Sequence, residues 1–107
     1  MKEANVTYDK EEDILHLSES GKTVKYSIGV DDLFVVDFDA SDRVIGIELL
    51  DASETVYGVS KALLGSITSA KFGARYAKEL LVVGIMLNSS VAEAPIYSSV
   101  PIPIIAR

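Results

Sequence analysis

Between positions 37 and 48 the chain reads Asp-Phe-Asp-Ala-Ser-Asp-Arg-Val-Ile-Gly-Ile-Glu. Oxygen-bearing side chains at Asp37, Asp39, Ser41 and Glu48 fall where an EF-hand loop takes its first, third, fifth and twelfth ligands. The sixth position of such a loop needs Gly for its sharp turn, and here it is Asp42. Strand-like rather than helical segments flank it, so a loop of that kind is not expected. A simpler chemistry survives. If residues 34–49 form a hairpin, Asp37, Asp39 and Glu48 share its outer face, and three carboxylates offer the hard oxygen donors that a divalent cation prefers. Exposed carboxylates beside a hairpin are more commonly a solvated face, and that reading stands beside the metal one.

Other chemistries find less material. Acyl transfer needs a nucleophile, a base and an orienter, and the many serines share one histidine, His16, with no Gly-x-Ser-x-Gly elbow. Without cysteine there is neither a thiolate nucleophile nor a disulfide framework. Neither a Walker loop nor a dinucleotide glycine fingerprint occurs. A hydrolase working through paired acidic residues is conceivable, though no cleft is legible around such a pair. No catalytic residue and no cofactor is therefore expected, apart from a weakly held divalent cation.

Composition narrows the partners. The 107 residues are 49% hydrophobic and carry 10 Lys and Arg against 16 Asp and Glu, a net charge of −6. With a pI near 4.6, a protein whose main work is to neutralise phosphates is disfavoured, so nucleic acid is not an expected partner. Lys61, Lys71, Arg75 and Lys78 form the only basic concentration, and Phe72 and Tyr76 point away from the face that Lys71 and Arg75 share. The start lacks the apolar core of a signal peptide and no apolar run approaches a bilayer span, which predicts a cytoplasmic chain without a membrane partner. Charge is uneven along the chain: residues 1–54 hold 14 acidic and 5 basic residues, residues 55–107 hold 2 and 5.

These side chains must be held by short strands. Val6 and Tyr8, Leu15 and Leu17, Val24 to Ile28, Phe34 to Phe38 and Ile45 to Leu49 each repeat apolar residues at period 2, which predicts an acidic antiparallel meander of five short strands over residues 1–53. A Ser20-Gly21 turn would set Leu17 opposite Val24 and Leu15 opposite Tyr26. A loop over residues 40–43 would set Asp39 opposite Val44, Phe38 opposite Ile45, Val36 opposite Ile47 and Phe34 opposite Leu49. Ser53 as a cap, Glu54, the spacing of Val56, Val59 and Leu63, and Gly65 as a stop predict one helix over 54–65.

Residues 66–107 are expected to be a C-terminal β lobe of two or three more antiparallel strands. The stretch 67–87 reads as two strands, with a single helix as the rival, since Ala70, Ala74, Ala77 and Leu81 also fit helical spacing. Pro95, Pro101 and Pro103 all lie at odd positions, so in one strand they would remove donors from one side only, the pattern of a sheet edge closed to further pairing. The fold class is thus α+β, mainly antiparallel sheet, and residues 1–107 read as one domain.

Taken in order, Tyr8-Asp9, Glu12-Asp13-Ile14-Leu15, Val36-Asp37-Phe38-Asp39 and Val44 through Ser53 make residues 6–53 resemble the small prokaryotic family known as domain of unknown function 2283. The resemblance implies a compact β-rich domain and brings no established activity or catalytic residue. With no catalytic set and a mean hydropathy of +0.28, the leading expectation is a non-enzymatic domain that associates with itself or with another protein. Glu48, Asp51 and Ser53, and Ile102 and Ile104 in the apolar C-terminal segment, are its expected contact residues. A cation-binding module on Asp37, Asp39 and Glu48 is the alternative, and an acidic-residue hydrolase the third reading.

Overall fold

A computed structural model describes residues 1–55 and 59–103. The elements in chain order are β1 (Lys2–Asp9), β2 (Ile14–Ser18), β3 (Tyr26–Val30), β4 (Phe34–Phe38), β5 (Val44–Leu49), α1 (Ala52–Thr55), α2 (Lys61–Leu64), β6 (Ile67–Ala77), β7 (Leu80–Ser89) and β8 (Ile96–Pro103). The period-2 pattern does what it must in a half-buried sheet, turning one set of apolar residues inward. Leu15, Leu17, Val36, Phe38, Ile47 and Leu49 meet Phe72, Leu81, Val83, Ile85, Leu87, Val100 and Ile102 in one core. Among the described residues no helix is long and apolar enough to cross a membrane.

All eight strands belong to one antiparallel sheet of order β3-β4-β5-β2-β1-β6-β7-β8. Among the described residues the fold is therefore mainly β, with eight strands and two single-turn helices, and its first five strands do not run as a meander to which others are added, since β2 and β3 are not neighbours. The expected β2–β3 hairpin does not form. Leu17 lies opposite Val6 on one side and Ile47 on the other, and β3 pairs with β4. Burial explains the choice. Leu15 and Leu17 are 0% exposed, which requires a neighbour strand on each side, whereas Ser27, Ile28 and Gly29 carry the exposed pattern of an edge.

The β4–β5 hairpin keeps the expected register at Phe34↔Leu49 and Val36↔Ile47, then slips at a bulge so that Phe38 faces Val44 instead of Ile45. Asp39 N donates to Arg43 O at 3.0 Å and Asp42 N to Asp39 O at 3.1 Å, with Asp42 at φ 62°. This is a three-residue loop ending in a left-handed residue, one shorter than expected, and the residue it releases becomes the bulge.

The single helix expected over 54–65 is instead two separate turns, and Val56 lies outside the described residues. Ser60, extended at φ −85° and ψ 162°, accepts from Leu63 N and starts α2 afresh, which breaks helical continuity. Gly65 closes α2 as expected. Residues 67–87 are two strands, β6 and β7, and not a helix, because Leu81, Val83, Ile85 and Leu87 alternate onto the core. Strand β8 is the far edge of the sheet, pairing through Pro101↔Val82 and Pro103↔Leu80, whereas Pro95, expected in the same strand, precedes it.

Ala77 pairs with Leu80, so β6 and β7 are joined by Lys78 and Glu79 alone, and Lys78 sits at φ 54°. A positive φ at the first of two hairpin residues is a place where Gly costs nothing and a side chain does. Lys78→Gly is expected to stabilise the protein by about 1 kcal/mol, read as a rise in melting temperature at neutral pH.

Candidate functional site

Three places concentrate polar or apolar groups. The first is the outer face of β2, β4 and β5. Asp37 lies opposite Gly46, and Glu48 lies between Val35 and His16, so Asp37 and Glu48 are diagonal neighbours. Ser27 Oγ donates to Asp37 Oδ1 at 2.6 Å, and His16 Nε2 approaches Asp37 Oδ2 at 3.4 Å. Asp37 reaches His16 across Gly46, where a Cβ would stand 2.7 Å from Asp37 Oδ2 and 3.2 Å from Leu17 O. The residue must be Gly because the carboxylate lies over it. Ser, Asp and His are thus assembled, but with the carboxylate in the middle. A triad of the acyl-transfer type needs the imidazole there, taking the hydroxyl proton.

Asp39 does not join Asp37 and Glu48. Its carboxylate is turned into the hairpin loop, accepting Ser41 N at 2.8 Å, Arg43 N at 3.0 Å and Arg43 Nε at 3.1 Å. The backbone N–H of Arg43 chiefly holds its carboxyl below the usual range; burial works against this, and Ser41 N–H and the Arg43 charge add to it. Among the described residues no three His, Asp or Glu side chains converge as a metal-holding group.

The second place is Asp13, at the end of the turn between β1 and β2. It is 7% exposed at φ 56°. Tyr8 donates to Oδ1 at 2.7 Å, Ser53 N to Oδ1 at 3.1 Å and Oδ2 at 3.2 Å, and Ser53 Oγ to Oδ2 at 2.6 Å. Ala52 N donates to Asp13 O at 2.8 Å. Ser53 therefore faces inward to Asp13, while Asp51 is exposed at φ 50° in the turn into α1. A signal was present: Tyr8, Asp13 and Ser53 all belong to the family-like residues, and a buried carboxylate with a phenol and a hydroxyl accounts for all three together.

Burial pushes the Asp13 carboxyl up, but the Ser53 and Tyr8 hydrogen bonds and the Lys61 charge outweigh it and leave it below its ordinary value. Tyr8 is pushed up to about 12, first by burial and then by its bond to Asp13.

The third place is apolar. A cleft of about 330 Å³ opens where β3 faces the ends of β6, β7 and β8, lined by Ile28, Val30, Phe38, Tyr76, Leu81 and Ile102 among others. Ile102, an expected contact residue, is buried in its wall. Ile104 lies outside the described residues.

Because Asp13 and Asp39 are held below their unfolded values of about 4, their contribution is present above that pH and lost as pH falls through the folded values. Tyr8 acts at the other limb, with stability complete below about pH 10 and lost as pH rises through about 12. Asn tolerates a positive φ, so Asp13→Asn leaves the backbone unstrained while removing the charge and turning one of the two acceptor oxygens into a donor. The expected result is a loss of about 2 kcal/mol at pH 7 in urea unfolding, with a shallower acid limb that retains the Asp39 part. Gly46→Ala is expected to cost about 1 to 3 kcal/mol in the same assay and to move the His16 ring resonances as Asp37 is displaced.

The same segments are recovered by comparison with known proteins. A family model described as "Protein of unknown function (DUF2283)" matches residues 5–53. An uncharacterised protein of Methanocaldococcus jannaschii is 32% identical over 83 residues, which is 77% of this chain and 70% of that protein. No solved structure matches the chain. With Tyr8 and Gly46 in the first five strands, Asp13 and Ser53 joined beside them, and the relationship extending past residue 53, the chain belongs to the DUF2283 family of proteins of unknown function.

Proposed function

We propose that this protein is a non-enzymatic association module of the cytoplasm, acting as a homo-oligomeric subunit or by holding another protein through the sheet margin. The observation that carries this reading is the inequality of the two sheet edges beside an apolar cleft. Strand β8 has prolines at the odd positions 101 and 103, which cannot donate to a further strand, whereas β3 has none and leaves Ser27, Ile28 and Gly29 exposed. Ile28 and Tyr76, both at the cleft, are among the large apolar side chains left exposed. Polar residues that carry the family resemblance support the same reading by their engagement: Asp13 and Ser53 bind each other, and Asp37 is held by Ser27 and His16. Association through backbone edge and apolar surface needs no polar catalytic set.

Native mass spectrometry of the untagged protein from its own cells, with light scattering over a concentration series, tests the proposal. A homo-oligomer or a stoichiometric complex with a second chain is expected. A monomer at every concentration with no accompanying chain overturns it.

A further inference from the structure

Resting on that reading, we propose that the occupant of the β3 edge is β3 of a second copy, paired antiparallel about a two-fold axis through Ile28. Directly opposed residues then have numbers that sum to 56. Ile28 faces its own mate, Ser27 faces Gly29 and Tyr26 faces Val30, and just beyond the strand ends Lys25 of one copy comes beside Asp31, the first residue of the β3–β4 turn, of the other. The register thus sets the two charges flanking the strand against opposite charges, twice by symmetry. Lys25 and Asp31 are both exposed, and neither has an ion-pair partner among the described residues. A one-residue slip would lose the pairing of like with like at Ile28 and turn every inward side chain to the wrong face.

The apolar side fits as well. Directly opposite residues in a sheet point to the same face, so Ile28 of one copy would lie against Ile28 of the other over the mouth of the cleft. Ile28 is 45% exposed in the single chain. The pairing covers that surface without asking β8 for donors its prolines lack. Because each copy uses the same strand, the interface closes at two and does not propagate into a filament.

Charge reversal tests the register. Lys25→Glu alone sets Glu against Asp31, and Asp31→Lys alone sets Lys against Lys25, so each variant is expected to weaken the dimer about tenfold or more. Mixed one to one, the two variants regain opposite charges at both positions and are expected to form the heterodimer selectively, seen by native mass spectrometry. Lys at position 31 is compatible with the local backbone, since Lys78 already holds a φ of 54° against 51° for Asp31. The chain has no cysteine, so Ile28→Cys introduces a single thiol and gives a second measure. Under mild oxidation it is expected to form a covalent dimer much faster than Tyr97→Cys, placed on the exposed β8 face.

A wild-type dimer indifferent to both charge variants, with Ile28→Cys cross-linking no faster than Tyr97→Cys, overturns the β3 pairing and leaves the association module standing. A wild-type monomer that carries another protein chain does the same. A monomer that carries none overturns both.

Discussion

The buried carboxylate of Asp13 fastens the two halves of the chain's course. An anion with so little exposed surface is costly unless its lone pairs are met, and here a phenol, a hydroxyl and a backbone N–H meet them. Asp13 ends the β1–β2 turn, and Ser53 begins the departure from β5. Joining them fixes where the chain leaves the first five strands and hence where α1, α2 and β6 start. Strand β1 then serves both sides of the sheet, pairing with β2 from Asn5 to Asp9 and with β6 from Lys2 to Ala4. The Ala52 N–H to Asp13 carbonyl bond adds a backbone tie at the same junction.

The outer face obeys a related constraint. Asp37 can reach His16 only because Gly46 has no Cβ, so a glycine on one strand, a carboxylate on the second and an imidazole on a third form one unit. The Asp39 carboxylate plays the same part in its loop, holding two N–H groups that the tight turn leaves unpaired. Asp37 and Asp39, two conspicuous acidic residues of this segment, are thus drawn into architecture, and the proposed association falls to the sheet margin. There the two edges differ in kind. One is closed by residues without an N–H, and the other is open, short, flanked by one charge of each sign and adjacent to an apolar cleft.

Much of this architecture is legible in the sequence. Alternation told which residues of each strand turn inward, because successive side chains on an extended backbone point to opposite faces whatever the strand pairs with. The odd spacing of Pro101 and Pro103 marked an edge for the same local reason. The β4–β5 register was correct as far as Val36↔Ile47, since a short loop restricts which residues can meet. It failed at Phe38 because the Asp39 side chain bonds its own loop and tightens it by one residue. Likewise, a helix was read through Ser60 from the spacing of apolar residues, while the Ser60 side chain was starting a new turn.

Strand neighbours and the Asp13 site were settled only when the whole sheet closed. Period 2 identifies a buried face and is silent on which strand lies alongside; Ser20-Gly21 invited a hairpin, but full burial of Leu15 and Leu17 required β1 and β5 on either side. Asp13 and Ser53 are 40 residues apart, and nothing local to either indicates the other. Local backbone geometry is written in adjacent residues and can be read there. Which distant strands and side chains meet is decided by the burial of the entire sheet against the entropy of the loops that connect it, and that balance exists only in the folded chain.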